Sequence, residues 1–454
     1  MKKRFIFIPL AILIVIAGVL IWACELRHPF GMGLSAELLE GLGPYMSESG
    51  GPGYKGDISA QTTNTYITKS TKVMVFPLES VKNYYRIPTL IQLTNGDLLA
   101  FADKRIGSIG DLPNTIEVVY KRSKDNGKTW SAQRLVSPKC TSKANSHGDA
   151  GFILDRKTGN IICVVAAGNG FLKSTPDDPI RIKIIKSKDN GETWSEPVDI
   201  TPQIYGSACK DPDRKTWNGA FTTSGNGVQL RNGRIMFVLN VRKSDKASPL
   251  YNHVLYTDDG GDTWNVSKGA PGISKNPSRG GSEAKIVELN DGTLLMAIRP
   301  EGIFQRFLAK STDNGETWGE MEPRSELPSS SSNGDIIYYT STLNGFDKNR
   351  IITMFDSRPW SGAGGGGNPG NPKLYWSYDE GKTWKGFLIH SGNAGYSSLA
   401  ILKDGSIGIL AEIGGAWNGP IYFMRVNMRY LTSNADKGPF YTSQTATNNN
   451  SKVK

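Results

Sequence analysis

The sequence predicts an all-β protein that folds as a six-bladed β-propeller of four-stranded antiparallel sheets. The main observation is an eight-residue pattern, Ser/Thr-x-Asp-x-Gly-x-Thr-Trp, which occurs at Ser123–Trp130, Ser187–Trp194, Thr257–Trp264, Ser311–Trp318 and Ser377–Trp384. Consecutive copies start 64, 70, 54 and 66 residues apart, which suits one four-stranded sheet per repeat. Glycine (52) and proline (24) are about a sixth of the 454 residues and follow no Gly-X-Y period, a composition typical of folds with many tight turns.

Each copy of the pattern has the composition of a hairpin turn. The Asp side chain accepts backbone N–H bonds, the Gly takes a conformation that other residues avoid, and the Trp packs beneath the turn. Between these copies lies a second repeated signal, in which Asn-Gly or Asp-Gly separates two apolar runs, as expected of a hairpin. It occurs at Leu93–Leu98, Leu230–Ile235, Leu289–Leu294 and Leu402–Ile407.

The propeller body is predicted to span residues 72–430. At about 60 residues per repeat this stretch accommodates six sheets, and the first and last are expected to close the ring. Residues 25–71 are rich in Gly, Ser and Thr and are predicted to form a tether. Residues 431–454 are similarly polar and are predicted to form a C-terminal tail.

Residues 1–24 have the composition of a membrane-targeting segment. Lys2, Lys3 and Arg4 precede an uncharged run, Phe5–Cys24, that is long enough to cross a bilayer as a helix. Three alternatives are open for this segment: an uncleaved anchor, a cleaved signal peptide, or lipidation at Cys24. The third is considered because residues 21–24 loosely resemble a bacterial lipobox. The positive charges predict a cytoplasmic N-terminus with the body outside. We expect an exported protein of the cell envelope, and we favour an anchor or a lipoprotein over free secretion.

The charge and the cysteines limit the partners. The net charge of +11 favours an anionic ligand or surface but identifies none, and no Lys/Arg block or zinc pattern indicates a nucleic-acid reader. Cys24, Cys140, Cys163 and Cys209 form no C-x-x-C pair, so neither a zinc site nor a dense disulfide framework is indicated. At most one or two disulfides are expected, and no metal or organic cofactor is implied.

A family resemblance rests on the repeated turn and on one further motif. The turn has the sequence of an Asp-box, and Tyr85-Arg86-Ile87-Pro88 ahead of the first copy matches the F/Y-R-I-P signature of bacterial sialidases. The chain therefore resembles Asp-box (BNR-repeat) sialidases, similar to glycoside hydrolase family 33, over essentially the whole body. The resemblance implies a retaining exo-α-sialidase that releases terminal sialic acid from glycoproteins, glycolipids or oligosaccharides, without a cofactor and as a monomer.

The resemblance assigns three catalytic residues. Tyr396, in Asn393-Ala-Gly-Tyr-Ser-Ser-Leu399, matches the nucleophile, because a neutral phenol can approach an anomeric carbon that bears a carboxylate. Glu283, at the start of an E…DG…R arrangement, matches the base that takes the phenol proton. Asp111, in a Gly-rich stretch, stands where the family has its acid/base.

Further residues are assigned to substrate binding. Arg86 and Arg299 match two of the three arginines that bind the substrate carboxylate in a bidentate fork. Arg105, in Ala102-Asp-Lys-Arg105, is expected near the ring hydroxyls, and Asp149 near the O4 and N-acetyl region. Glu412 resembles the residue that orients the first arginine.

The chain departs from the family at the third arginine. The expected place before the last Asp-box is Gly362–Pro372, which contains no arginine, and Arg358 is the nearest candidate. This departure leaves related activities open: hydrolysis of another ulosonic acid such as Kdn or Kdo, or trans-sialidase activity. A different class of function, a non-catalytic Asp-box propeller that binds a partner protein or glycan, would not need Arg86, Asp111, Glu283, Arg299 and Tyr396 together.

Overall fold

The computed structural model describes residues 72–438, except 79–81, 276–279, 301–302, 330–331, 358–369 and 416–417. The targeting segment, the tether, Arg358 and most of the predicted tail lie outside the described residues. Within the described ranges the two α-helices have four residues each, Thr201–Ile204 (α1) and Met428–Leu431 (α2), and no helix there is long and apolar enough to cross a membrane. Short 3-10 turns occur at Lys143–Asn145, Arg214–Thr216 and Thr342–Asn344.

Strands dominate the described chain, starting with β1 at Val73–Phe76. Blade 1 contains Asn83–Gln92 (β2), Leu98–Ile106 (β3), Ile116–Ser123 (β4) and Arg134–Leu135 (β5). Blade 2 contains His147–Leu154 (β6), Ile161–Ala167 (β7), Arg181–Ser187 (β8) and Val198–Asp199 (β9). Blade 3 contains Gly219–Thr222 (β10), Val228–Gln229 (β12), Ile235–Arg242 (β13), Leu250–Thr257 (β14) and Asn265–Val266 (β15). The short strand Gly225–Asn226 (β11) leaves blade 3 and pairs in parallel with β6.

The remaining blades follow the same order from the axis outward. Blade 4 contains Gly281–Glu288 (β16), Leu294–Pro300 (β17), Gln305–Ser311 (β18) and Glu322–Pro328 (β19). Blade 5 contains Asp335–Thr340 (β20), Arg350–Asp356 (β21), Pro372–Ser377 (β22) and Lys385–Leu388 (β23). Blade 6 contains Ala394–Ile401 (β24), Ile407–Ile413 (β25) and Ile421–Val426 (β26). These six antiparallel sheets confirm the predicted six-bladed propeller.

The ring is closed by the first strand of the chain. β1 pairs antiparallel with β26, with Val73 opposite Phe423, so blade 6 combines three C-terminal strands with one N-terminal strand. The Phe76 side chain is fully buried between blades 6 and 1, and its ring centroid lies 5.1 Å from that of Tyr85. Both ends of the body therefore belong to one sheet, which removes a free sheet edge at the junction.

The Asp-box turns have the predicted hydrogen bonds. In the first, Asp125 Oδ1 accepts the Thr129 N–H at 2.9 Å and Oδ2 accepts the Thr129 hydroxyl at 2.5 Å. Gly127 has φ +84°, and a Cβ there would lie 2.0 Å from the Phe423 ring of blade 6. The Trp130 indole N–H donates to the Gly127 carbonyl at 3.2 Å. The turn thus stabilises its own hairpin and also packs against the neighbouring blade.

Residues 432–438 of the predicted tail pack on blade 5. The guanidinium of Arg350, which is fully buried, donates to both carboxylate oxygens of Asp436 at 2.8 Å. The same guanidinium donates to Asp347, and the Tyr378 hydroxyl donates to Asp436. This bidentate ion pair fixes the chain beyond the last strand.

The closing strand generates a prediction about stability. Phe76→Ala should lower the free energy of unfolding by about 3–5 kcal/mol, because it leaves a cavity at the junction of blades 6 and 1. Met74, on the same strand, is 49% exposed, so Met74→Ala should cost less than about 1 kcal/mol. Urea unfolding followed by tryptophan fluorescence measures both. Equal effects of the two substitutions would contradict the proposed importance of this junction.

The Asp-box turns generate a prediction about pH. The hydroxyl and backbone N–H of Thr129 lower the pKa of Asp125 to about 2, and Thr193 does the same for Asp189. Since an unfolded Asp titrates near about 3.9, this contribution to stability is present above about pH 4 and is lost as pH falls through about 2. The double variant Asp125→Asn/Asp189→Asn should therefore be less stable at pH 5 and lose less stability on acidification. Asp177→Asn, in an exposed loop, is the control, and parallel pH curves for all three proteins would contradict the prediction.

Candidate active site

A cleft of about 700 Å³ opens where the inner strands of the blades converge. Its polar lining includes Arg86, Asp111, Asp149, Glu283 and Tyr396, which belong to blades 1, 2, 4 and 6. Its apolar lining includes Leu112, Phe171, Ile180, Phe221 and Leu250. Residues separated by up to about 300 positions in the sequence therefore face one cavity.

The inner strands lose their regular register where they reach the cleft. In β6 the pairing shifts between Gly148 and Gly151, which leaves Asp149 in the irregular stretch. In β16 the shift lies between Gly281 and Ala284, and it includes Glu283. In β24 it lies between Ala394 and Ser397 and includes Tyr396, and β2 shifts directly after Arg86. Such bulges re-aim side chains, which explains how residues of separate sheets turn toward one cavity.

Tyr396, Glu283 and Arg299 form one hydrogen-bonded group. The Tyr396 hydroxyl donates to Glu283 Oε1 at 2.5 Å. Arg299 Nη1 donates to Glu283 Oε2 and also to the Tyr396 hydroxyl oxygen, the latter at 3.0 Å. The phenol oxygen thus has both a proton acceptor, Glu283, and a cation, Arg299, within hydrogen-bond distance.

The protonation states follow from burial and charge. Burial raises the pKa of the Tyr396 phenol well above its usual value, and the Glu283 carboxylate adds to the shift. Burial also acts to raise the pKa of Glu283, but Arg299 and the hydrogen bond from Tyr396 bring it below its usual value. At neutral pH the pair is therefore a phenol beside a carboxylate, which is the state in which Glu283 can accept the phenol proton.

Glu412 holds Arg86 and the segment around Tyr396. Its carboxylate accepts Arg86 Nε at 2.9 Å and Nη2 at 3.3 Å, and also the backbone N–H groups of Ile87 at 2.9 Å and Tyr396 at 3.0 Å. The Arg86 guanidinium carbon lies 5.0 Å from the centroid of the Tyr396 ring. Burial opposes the charge of Arg86, but Glu412 keeps the pKa of this guanidinium above its usual value. Glu412 thus contacts the guanidinium of Arg86 that it is expected to orient, and this role stays a prediction.

Two backbone features permit this arrangement. Ile87 has φ +61°, a left-handed conformation that costs a β-branched residue about 1–3 kcal/mol, and its N–H is bonded to Glu412. A Cβ at Gly395 would lie 2.0 Å from Glu412 Oε2. Only glycine allows the carboxylate to approach the backbone of Tyr396 so closely.

Asp111 lies on the open side of the cleft. Its side chain is 74% exposed, and Oδ1 accepts Arg105 Nη1 at 2.7 Å. Arg105 is 1% exposed and also donates to the Ile109 carbonyl at 2.6 Å. Arg105 therefore contacts Asp111 from within the fold, and its expected position near the ring hydroxyls of a substrate stays a prediction.

Asp149 faces the cleft from blade 2 with a strained backbone. Its φ is +51°, and its backbone N–H donates to Asp103 Oδ2 at 3.1 Å. Burial raises the pKa of Asp149 well above its usual value, and the carboxylates of Asp103 and Asp111 add to the shift. Asp103 was not predicted as a site residue, although it stands two residues before Arg105 in Ala102-Asp-Lys-Arg105.

Arg242, which was also not predicted as a site residue, organises the rim of the cleft. Its buried guanidinium donates to the carbonyls of Ser174 at 2.5 Å, Phe171 at 3.1 Å and Ser244 at 2.7 Å. It thereby joins the loop between β7 and β8, which carries the exposed Leu172, to the loop between β13 and β14. No sequence motif marks this residue, because its partners are backbone carbonyls.

The structure brings most of the predicted site residues together. They are Arg86, Arg105, Asp111, Asp149, Glu283, Arg299, Tyr396 and Glu412, which line the cleft or contact a residue that does. Arg358 lies outside the described residues, so the third arginine stays a prediction. Cys140, Cys163 and Cys209 are buried free thiols.

Known proteins resemble this chain in sequence and in structure. The family described as a BNR repeat-like domain matches residues 87–358. A sialidase of Micromonospora viridifaciens is 31% identical over 349 residues, which cover 73% of this chain and 50% of that protein. A sialidase of Bacteroides fragilis is 30% identical over 348 residues, which cover 72% of this chain and 60% of that protein. The solved structure of the Hadza microbial sialidase Hz136 aligns with a TM-score of 0.65 and 26% identity, over 77% of this chain and 66% of that one. The chain thus spans half to three fifths of the length of the two curated relatives.

The contact between Gly395 and Glu412 generates a prediction. Gly395→Ala should lower the free energy of unfolding by about 1–3 kcal/mol, because the added methyl group overlaps a buried carboxylate. At Gly319 a Cβ would meet only the Lys310 carbonyl, at 3.7 Å, so Gly319→Ala should cause no loss. Denaturant unfolding compares the two variants. A Gly395→Ala protein as stable as the wild type would show that Glu412 does not need this close approach.

Proposed function

This chain belongs to the BNR repeat-like domain family, and on that premise we propose that it is a retaining exo-α-sialidase that hydrolyses terminal sialic acids from glycoconjugates. The observation that carries the proposal is the bond between Tyr396 and Glu283 in the cleft, with Arg299 bonded to both. A buried tyrosine whose only role is packing needs neither a carboxylate acceptor nor a cation at its hydroxyl. The similarity to sialidases of Micromonospora viridifaciens and Bacteroides fragilis supports the same substrate class.

In the first step Tyr396 acts as the nucleophile. Its phenol oxygen forms a bond to the anomeric carbon while Glu283 Oε1 takes the phenol proton over the existing 2.5 Å hydrogen bond. The bond to the glycosidic oxygen breaks, and Asp111 donates a proton to that oxygen. The raised pKa of Tyr396 disfavours a free phenolate, so proton transfer to Glu283 accompanies the attack. The Arg299 guanidinium stabilises the negative charge that develops on the phenol oxygen.

In the second step water replaces the tyrosine. Asp111, now a carboxylate, takes a proton from a water molecule that attacks the anomeric carbon on the face left by the aglycone. The tyrosyl bond breaks, and Glu283 returns the proton to the phenol oxygen. Two inversions at one carbon give net retention. The exposure of Asp111 suits both roles, because the aglycone and then the water must reach it from solvent.

The substrate carboxylate is proposed to bind between the guanidinium groups of Arg86 and Arg299. Arg86 lies over the Tyr396 ring, and Arg299 lies at the Tyr396 hydroxyl. A carboxylate on the anomeric carbon would repel a carboxylate nucleophile, whereas the neutral phenol of Tyr396 avoids this repulsion. Arg358 is the proposed third guanidinium. The substrates are proposed to be sialylated glycans outside the cytoplasm, in keeping with the expected export of the chain.

The test is the loss of turnover in a Tyr396→Phe variant of the full chain. The substitution removes the nucleophilic oxygen, and we expect kcat to fall by about 10²–10⁴-fold or more, with the fold retained. Release of the fluorophore from an aryl α-ketoside of N-acetylneuraminic acid measures turnover. NMR of the first-formed sugar should show the α anomer, as retention requires.

The matched control is Tyr120→Phe. The Tyr120 hydroxyl is buried and donates to the Gly191 carbonyl at 2.5 Å, outside the cleft, so its removal should leave kcat unchanged. Unaltered turnover in Tyr396→Phe would overturn the mechanism. Transfer of the sugar to an added glycan rather than to water would indicate a trans-sialidase. Inactivity of the wild type toward sialic acid, Kdn and Kdo ketosides would favour a binding propeller.

A further inference from the structure

We propose that Asp103 is a positioning residue of this site, whose buried carboxylate holds both Asp149 and the Arg105–Asp111 pair in place for acid catalysis. The inference rests on the proposed function and deepens it. Asp103 does not line the cleft, and it would act on the reaction only through the residues it holds.

Asp103 lies at the centre of the carboxylate side of the site. It is 1% exposed on β3, directly opposite Arg86 of β2 in the sheet register. Its Oδ2 atom contacts the Asp149 N–H of blade 2 and the guanidinium of Arg105, whereas Oδ1 is buried without a hydrogen-bond partner among the described residues. A buried carboxylate with an unsatisfied oxygen lowers the stability of the fold. We therefore expect Asp103 to have a role that offsets this loss of stability.

Toward blade 2, Asp103 fixes the strained backbone of Asp149. The Asp149 N–H donates to Asp103 Oδ2 at 3.1 Å, at the bulge that turns Asp149 into the cleft. Asp149 has φ +51°, a conformation that persists only where the surroundings enforce it. The preceding residue is Gly148, and a Cβ there would lie 3.0 Å from Asp103 Oδ2. A small residue at position 148 therefore permits the hydrogen bond.

Toward blade 1, Asp103 balances the charge of Arg105. Arg105 Nη2 lies 3.6 Å from Asp103 Oδ2, while Nη1 binds Asp111 at 2.7 Å. Both Arg105 and Asp103 are 1% exposed, whereas Asp111 is largely in solvent. With Asp103 present, the buried guanidinium is shared between two carboxylates. Without it, Arg105 would keep only Asp111 of these two carboxylates, and the geometry of the proposed acid would change.

The groups that face Asp103 are Arg86, Arg105, Asp111, Asp149 and the buried thiol of Cys163. Burial raises the pKa of Asp103 to about 6, while Arg105 and the hydrogen bond from Asp149 oppose the rise. The carboxylate is therefore ionised at neutral pH and able to oppose the influence of Arg105 on Asp111.

The experiment compares two substrates with different needs for acid catalysis. An aryl ketoside has a good leaving group and needs little protonation, whereas sialyllactose has a poor alkyl leaving group and depends on it. Asp103→Asn should lower kcat for sialyllactose by about tenfold or more and for the aryl ketoside by less than about threefold.

A second variant addresses the same contact from the opposite side. Gly148→Ala places a methyl group against Asp103 Oδ2 and should reproduce the selective loss on sialyllactose, which decides the question if Asp103→Asn does not fold. The control is Asp155→Asn, another buried carboxylate at the far end of β6, bonded to Thr158 and Gln229. It should affect stability without changing the ratio of the two substrates.

The outcomes separate this inference from the proposed function. An active wild type with equal losses on both substrates in Asp103→Asn would overturn the positioning role and leave a purely structural one. A wild type inactive toward both substrates would overturn the proposed function, and with it this inference. A selective loss in both Asp103→Asn and Gly148→Ala, absent from Asp155→Asn, would establish the role.

Discussion

The Glu412 carboxylate is the interaction on which the rest of the site depends. It accepts hydrogen bonds from the Arg86 side chain, from Ile87 and from the backbone of Tyr396, so one buried group joins blade 1 to blade 6. These blades contain the two ends of the propeller chain. Strand β1 closes the same junction by pairing with β26. Because a buried carboxylate is stable only when its oxygens are satisfied, the ring cannot open here without leaving a charge unpaired. The contacts of Glu412 that help to close the ring are therefore the same contacts that orient Arg86 and the backbone of Tyr396.

The inner strands of the propeller depart from regular β-structure where they reach the cleft, and these irregularities place the site residues. Regular strands alternate their side chains between the two faces of a sheet, and neither face points along the inner edge. Bulges in β6, β16 and β24 release Asp149, Glu283 and Tyr396 from this alternation. The strain is tolerated because the outer parts of blades 1 to 5 are held by Asp-box turns and because apolar layers pack between the blades. Rigid outer strands thus permit irregular inner ones.

The sequence predicted the elements that repeat or that follow a short motif. Five Asp-boxes at regular spacing were sufficient for the fold, and Arg86, Glu283, Arg299 and Tyr396 could be placed because each stands in a recognisable local pattern. Asp103 and Arg242 could not be assigned, since their partners lie across blades or are backbone carbonyls that carry no sequence signature. The closing strand β1 has only four residues and no turn motif, so its pairing with β26 follows from the closed ring rather than from its own sequence.

The positively charged and the carboxylate side chains occupy different sides of the cleft. The guanidinium groups of Arg86 and Arg299 flank the Tyr396 phenol, whereas Asp111 and Asp149 occupy the opposite side above the buried Arg105. The anionic sugar proposed as substrate would be attracted to the first side, so its carboxylate would lie there and its leaving group would lie toward Asp111. Arg105 and Asp103 are buried behind the carboxylate side, 3.6 Å apart at Arg105 Nη2 and Asp103 Oδ2. The orientation of the proposed substrate would thus follow from which charges are buried and which face the cavity.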